Sequence, residues 1–177
     1  TDLSHAAFPF MSSQEITVGD IKVRATRLTY VGELGWELYV PTEQGLELWE
    51  KIMAAGKAQG IKACGYRAIE SLRLEKGYRA WAGEINTETN PYEAGLGFAV
   101  SLKKEKFHGK EAAIAAQSNL SRKLVAITFD DITCVPFGSE PIRIGSKIVG
   151  RIKSGGQGYT IKKAIAYAYL PIEHTGV

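Results

Sequence analysis

Residues 15–40, EITVGDIKVRATRLTYVGELGWELYV, decide the first part of the fold. Polar and apolar side chains alternate along this stretch, and residues that favour β-strands are frequent in it. The alternation breaks at Gly19-Asp20 and again over 32–35, where glycines suit tight turns. The stretch therefore predicts three short strands joined by two tight turns.

Helical patterns follow these strands. Thr42 is a suitable N-cap for a helix over 43–59, and Gly60 would end that helix. The apolar residues predicted to form its core face are Leu46, Trp49, Ile52 and Met53.

A second helix is predicted over 66–76, with Ile69 and Leu72 on its apolar side and Gly77 as its C-terminal stop. A short third helix is predicted from Asn90-Pro91 through Glu93, because proline suits the first turn of a helix.

The pattern changes after a strand predicted at 98–102 and a helix predicted at 110–117. Short strands are then predicted at 123–129, 141–144, 147–152 and 164–169, with a glycine-rich loop at 154–158. Strands at this spacing favour a small antiparallel barrel or sandwich. We therefore predict an α+β fold in two domains, 1–104 with antiparallel strands and helices and 105–177 with a small antiparallel β-barrel.

Composition excludes several classes of protein. The 177 residues are 45% hydrophobic and 23% charged, which is typical of a folded globular protein. The net charge is only +3, and Lys103, Lys104 and Lys106 form the one cluster of basic residues, so a dedicated nucleic-acid surface is disfavoured. No apolar run is long enough to span a bilayer.

The two cysteines, Cys64 and Cys134, lack the paired spacing of a metal site, so we predict reduced, packed thiols and no metal. These features favour a soluble protein of the cytoplasm, or of the mitochondrial matrix in a eukaryote. The start at Thr1 reads like the middle of a longer protein.

Two stretches could carry chemistry. In 30–38, strand alternation places Glu37 on the face opposite Trp36 and Leu38, beside a glycine-rich turn that lets a flat ligand approach the backbone. From the residues alone, Glu37 is either a solvated strand glutamate or a paired binding group.

In 65–75, Arg67, Glu70 and Arg73 recur every three residues. They predict either a surface ladder of ion pairs or a pocket-facing Arg67 that Glu70 orients. The three histidines are isolated, so the residues indicate no triad and no catalytic side chain.

Taken together, these stretches resemble the folate-binding module shared by the glycine-cleavage T-protein and the dimethylglycine and sarcosine dehydrogenases. The resemblance rests on five ordered segments, which are Phe8-Pro9-Phe10, 30–38, 71–78, 90–96 and 155–171. The sequences of 32–37 and 76–81 are more similar to the flavin-linked dehydrogenases than to the T-protein.

The resemblance implies that Glu37 holds the pterin ring of tetrahydrofolate, and that Arg67 and Tyr30 also contact the folate. It further implies transfer of a one-carbon unit from a small methylated amine, or its iminium, to form 5,10-methylenetetrahydrofolate. FAD would belong only to a domain outside this chain, because no Gly-x-Gly-x-x-Gly follows a strand here.

The aspartate that assists this chemistry in the family lies in an N-terminal half with no match here. We therefore expect covalent continuity with such a half and with a flavin domain. The alternative is a non-catalytic regulatory or assembly relative, such as a pyruvate dehydrogenase phosphatase regulatory subunit. A folate-using RNA-modifying relative is disfavoured by the weak basic character.

Overall fold

A computed structural model describes residues 1–176 and leaves Val177 outside the description. The chain divides into two units, Thr1–Ile69 and Glu70–Val177. The predicted α+β class is confirmed: helices accompany two antiparallel sheets. The elements in chain order are β1 (Ser13–Val18), β2 (Ile21–Thr26), β3 (Glu37–Tyr39), α1 (Thr42–Gly56), α2 (Tyr66–Lys76), α3 (Lys110–Ser118), β4 (Arg122–Phe129), β5 (Pro141–Ile144), β6 (Lys147–Gly158) and β7 (Lys163–Pro171).

The first unit contains the three strands predicted from 15–40, in the order β1-β2-β3. The turn at Gly19-Asp20 is confirmed, but the second tight turn is wrong, because ten residues, 27–36, connect β2 to β3. The buried core of this unit is Ile21, Val23 and Leu48, against which several half-buried aliphatic side chains pack.

Helix α1 lies close to its predicted position and is followed by a 3-10 turn, Lys57–Gln59, that ends at Gly60 in the left-handed conformation. Its predicted N-cap is wrong, because Pro41 occupies the cap position and Thr42 is already helical. The predicted core face is also partly wrong. Leu46 is 70% exposed and Trp49 is 52% exposed, and Leu48 fills the core instead.

The second unit contains a four-stranded antiparallel sheet in the order β4-β7-β6-β5. All four predicted strands are confirmed, but the closed barrel is not. Among residues 1–176, β4 and β5 form opposite edges of an open sheet. The core centres on β7, whose residues 164–170 are all buried, and includes Leu74 of α2.

Three local predictions in this unit are wrong. The strand at 98–102 is instead a 3-10 turn, Gly97–Ala99. The helix at 90–93 is a hydrogen-bonded turn in which Asn90 Oδ1 accepts from the backbone N–H groups of Tyr92 and Glu93. The loop at 154–158 is the second half of β6.

The glycines of β6 explain that last error. An added Cβ on Gly155 would lie 2.5 Å from the carbonyl oxygen of Pro136, and one on Gly156 would lie 3.0 Å from Leu74. These residues are glycine because neighbouring groups approach the strand backbone closely.

Both cysteines are exposed and free, so the prediction of packed thiols is wrong in its packing. Among residues 1–176, no cluster of His, Cys, Asp or Glu could hold a metal ion, and no helix has the length and apolar character to cross a bilayer.

Candidate functional site

The strand β3 presents Glu37 on the polar face of the first sheet. The register pairs Glu37 with Thr26 and Leu38 with Ala25, and Leu38 packs against the core. Because side chains alternate along a strand, Glu37 and Tyr39 both project from the opposite, solvent-exposed face. The tyrosine hydroxyl donates a hydrogen bond to the Glu37 carboxylate. This bond, with smaller contributions from desolvation and the carboxylate charge, raises the pKa of Tyr39 above its usual value.

The connection before β3 is fixed by its own hydrogen bonds. The Thr29 hydroxyl oxygen accepts from the backbone N–H groups of Val31, at 3.1 Å, and Gly32, at 3.0 Å. An added Cβ on Gly35 would lie 2.7 Å from the carbonyl oxygen of Leu28, so only glycine fits there without a shift. The glycines predicted to allow close backbone approach therefore serve first to fold this connection.

An aromatic cluster adjoins Glu37 in the chain. The rings of Trp36 and Phe8 meet edge to face, with centroids 4.6 Å apart. The Arg27 guanidinium lies 5.5 Å from the centroid of Trp36 and donates to the carbonyl oxygen of Phe8 at 2.6 Å. Phe8 is completely buried, so the segment before β1 anchors the region from which Glu37 projects.

The three predicted site residues are accessible, and the described residues show no direct bond between Glu37 and Arg67. Tyr30 lies in the connection before β3 with 37% of its surface exposed. Arg67 is exposed on the first turn of α2. Within residues 1–176, neither a hydrogen bond nor an ion pair links Glu37 to Arg67. Their convergence on one ligand therefore stays a prediction.

The predicted ladder on α2 resolves into a buried ion pair. Arg73 is only 1% exposed, and its guanidinium donates to the Glu84 carboxylate at 2.8 Å and also to Glu70. Arg67 takes part in no ion pair within the described residues. Arg73 and Glu70 are thus structural, while Glu84, a partner that the sequence did not indicate, belongs to the fold of the second unit.

Tyr39 is a further residue of this polar face that was not identified from the sequence. It lies two residues after Glu37, and the alternation that placed Glu37 on the polar face places Tyr39 on the same face. That spacing is the signal that could have identified it.

Two family models match the chain in order. The one described as the GCVT N-terminal domain matches residues 1–104, and the glycine cleavage T-protein C-terminal barrel domain matches residues 122–176.

Among similar proteins, the mitochondrial dimethylglycine dehydrogenase of Mus musculus is 44% identical over 174 residues, covering 97% of this chain and 20% of that protein. The mitochondrial sarcosine dehydrogenase of Mus musculus is 42% identical, covering 96% and 18%. The aminomethyltransferase of Symbiobacterium thermophilum is 39% identical, covering 96% and 46%. The chain therefore spans about a fifth of the length of these dehydrogenases and less than half of the aminomethyltransferase.

Among solved structures, the glycine cleavage system aminomethyltransferase T of Bartonella henselae matches with a TM-score of 0.81 and 27% identity. The match covers 93% of this chain and 45% of that one. The ordered family matches, the enzyme relatives and the shared fold together show that the chain belongs to the glycine cleavage T-protein family.

Proposed function

We propose that this chain is the tetrahydrofolate-binding part of a one-carbon transferase that forms 5,10-methylenetetrahydrofolate within a dimethylglycine or sarcosine dehydrogenase-like protein. The observation that carries the proposal is the solvent-accessible carboxylate of Glu37, which projects from the polar face of a paired strand. The dehydrogenase and aminomethyltransferase relatives support the reaction class.

The chemistry of Glu37 fits the edge of a pterin ring. That edge offers an amino group and an N–H side by side, and one carboxylate accepts both as parallel charge-assisted hydrogen bonds. Strand pairing with Thr26 fixes the backbone of Glu37, so the position from which its side chain extends is fixed as well. Within residues 1–176, Glu37 enters no ion pair that a ligand would have to displace.

Arg67 and Tyr30 complete the proposed binding set. A guanidinium on the first turn of α2 complements the carboxylates of a folate, and a half-exposed tyrosine ring offers both an apolar face and a hydroxyl. We assign these residues to binding and none to proton transfer, so this chain would orient the folate and exclude water.

The remaining parts of the proposal concern the protein as a whole. We propose a small methylated amine, or its iminium, as the donor, and we place no flavin contact on this chain. Residues 1–104 would form the folate-binding part and residues 105–177 the C-terminal domain. The mitochondrial relatives support a matrix location in a eukaryote.

The test measures the affinity of the intact protein for tetrahydrofolate by anaerobic calorimetry. We expect Glu37→Ala to weaken binding by about 100-fold, because a bidentate charge-assisted contact is lost. The matched control is Glu50→Ala, which removes an exposed glutamate from α1 and should leave affinity unchanged. Arg67→Ala should weaken binding by about threefold, because an exposed ion pair contributes less than about 1 kcal/mol, with Lys62→Ala as its control.

Equal affinity in the wild type and Glu37→Ala would remove the proposed site. A wild-type protein that does not bind tetrahydrofolate would favour the regulatory alternative.

A further inference from the structure

The polar face of the first sheet carries one residue outside the three predicted ones whose side chain contacts Glu37. Tyr39 lies on the same face of β3 and donates its hydroxyl hydrogen to the Glu37 carboxylate. Across the sheet, Tyr39 pairs with Arg24 and Glu37 pairs with Thr26. The Thr26 hydroxyl donates to Ser13 at 3.0 Å, so the neighbour directly opposite Glu37 is engaged on the side of β1.

Packing of the sheet does not account for Tyr39. Its side chain is 54% exposed, whereas its neighbours Leu38 and Val40 point to the other face and pack against the core. An exposed hydrogen bond of this kind contributes little to the stability of a fold. The contact is therefore better explained by what it does to Glu37 than by what it does for the sheet.

A carboxylate that accepts two parallel hydrogen bonds can still accept a third. Its two oxygens offer about four lone-pair directions, of which a pterin edge would use two. A phenol donor from the side occupies one more and restrains the torsions of the glutamate. A side chain that is already oriented loses less conformational freedom when the ligand binds. The phenol is also neutral, so it orients the carboxylate without introducing a charge that competes with the ligand.

We propose that Tyr39 is a positioning residue of the folate site, which holds the Glu37 carboxylate in the orientation that accepts the pterin edge. This inference rests on the proposed function and adds a residue to it. Tyr39 itself need not touch the folate.

The experiment compares tetrahydrofolate affinity in the intact wild-type protein and in Tyr39→Phe by anaerobic calorimetry. Phenylalanine keeps the ring and removes only the hydroxyl. We expect affinity to fall about three- to tenfold, the range of one hydrogen bond, with no change in the thermal midpoint. Tyr159→Phe is the matched control, since Tyr159 is an exposed tyrosine of the second unit. The affinity of this variant for tetrahydrofolate should equal that of the wild type.

A pH series separates positioning from a steric role. The bond to Glu37 raises the pKa of Tyr39, so the phenol stays protonated at neutral pH and ionises only in alkali. As the pH rises through the raised pKa of Tyr39, the tighter binding of the wild type relative to Tyr39→Phe, measured as the ratio of the two dissociation constants, should disappear, because a phenolate cannot donate to Glu37 and its charge repels the carboxylate. Ionisation of the ligand affects both proteins equally and cancels in the ratio.

Each outcome decides one question. If Tyr39→Phe binds within twofold of the wild type while Glu37→Ala loses binding, the positioning role is overturned and the folate site stands. If Tyr39→Phe binds less tightly by a ratio that stays the same while Tyr39 ionises, a steric effect replaces the positioning role. If Glu37→Ala binds like the wild type, the folate site fails and this inference fails with it.

Discussion

The buried contact between Arg73 and Glu84 allows a stability prediction to be worked from individual atoms. The Glu84 side chain is fully buried and accepts from the Arg73 guanidinium at 2.8 Å, from the backbone N–H of Ala80 at 2.7 Å and from the Ser154 hydroxyl. These bonds join α2, the 78–84 segment and β6 within the second unit. Glu84→Gln retains the shape but removes the charge and turns one acceptor into a donor.

The expected cost follows from what the substitution leaves behind. In Glu84→Gln the amide oxygen can still accept from Arg73 and Ala80, and the NH₂ group can donate to the Ser154 hydroxyl oxygen, so the main loss is the negative charge opposite Arg73. The Arg73 guanidinium, 1% exposed, then keeps only Glu70 as a charged partner. Breaking one side of a buried ion pair costs about 3–5 kcal/mol. We expect a loss near the lower end, about 3 kcal/mol, because Glu70 remains and glutamine fills the same volume.

The assay is hydrogen exchange of the α2 backbone amides in the intact protein, which reports the free energy of opening this unit. A loss of about 3 kcal/mol accelerates exchange roughly 100-fold. The control is Asp130→Asn, because Asp130 is fully exposed in its ion pair with Lys163 and its replacement should leave exchange unchanged. Acceleration of less than about fivefold would contradict this prediction, since the pair would then contribute no more than a surface contact.

Further predictions concern pH and the glycines. Burial alone would raise the pKa of Glu84, but the bonds from Ala80, Ser154 and Arg73 outweigh it and hold the pKa below its ordinary value of 4.5. The stability from Glu84 is therefore present above about pH 4.5 and lost as the pH falls through the lower native pKa. The free energy of unfolding of the second unit should therefore decrease less between pH 7 and acid pH in Glu84→Gln than in the wild type. Gly155→Ala should destabilise the sheet by about 1–3 kcal/mol in thermal unfolding, because its Cβ would meet Pro136. Gly45→Ala, where nothing lies within 4 Å, should stabilise α1 by about 0.5–1 kcal/mol in the same measurement.

Local sequence patterns determined much of the secondary structure. The prediction of helix α2 at 66–76 is confirmed at both ends, and the left-handed Gly77 that follows it is the expected stop. The strand at 141–144 is likewise confirmed at both ends, and the side of β3 that carries Glu37 followed from alternation alone. These features depend on residues close in the chain, where propensity and periodicity act directly.

The tertiary structure decided which of several apolar or glycine-rich surfaces face a neighbour. Helix α1 has apolar residues on more than one side, and only packing against Ile21 and Val23 selected Leu48 over Leu46. The glycines at 155 and 156 belong to a strand because Pro136 and Leu74, distant in sequence, approach them closely. The same long-range folding brought Glu84 to Arg73. Periodicity describes one element at a time, whereas burial and ion pairing depend on which elements meet.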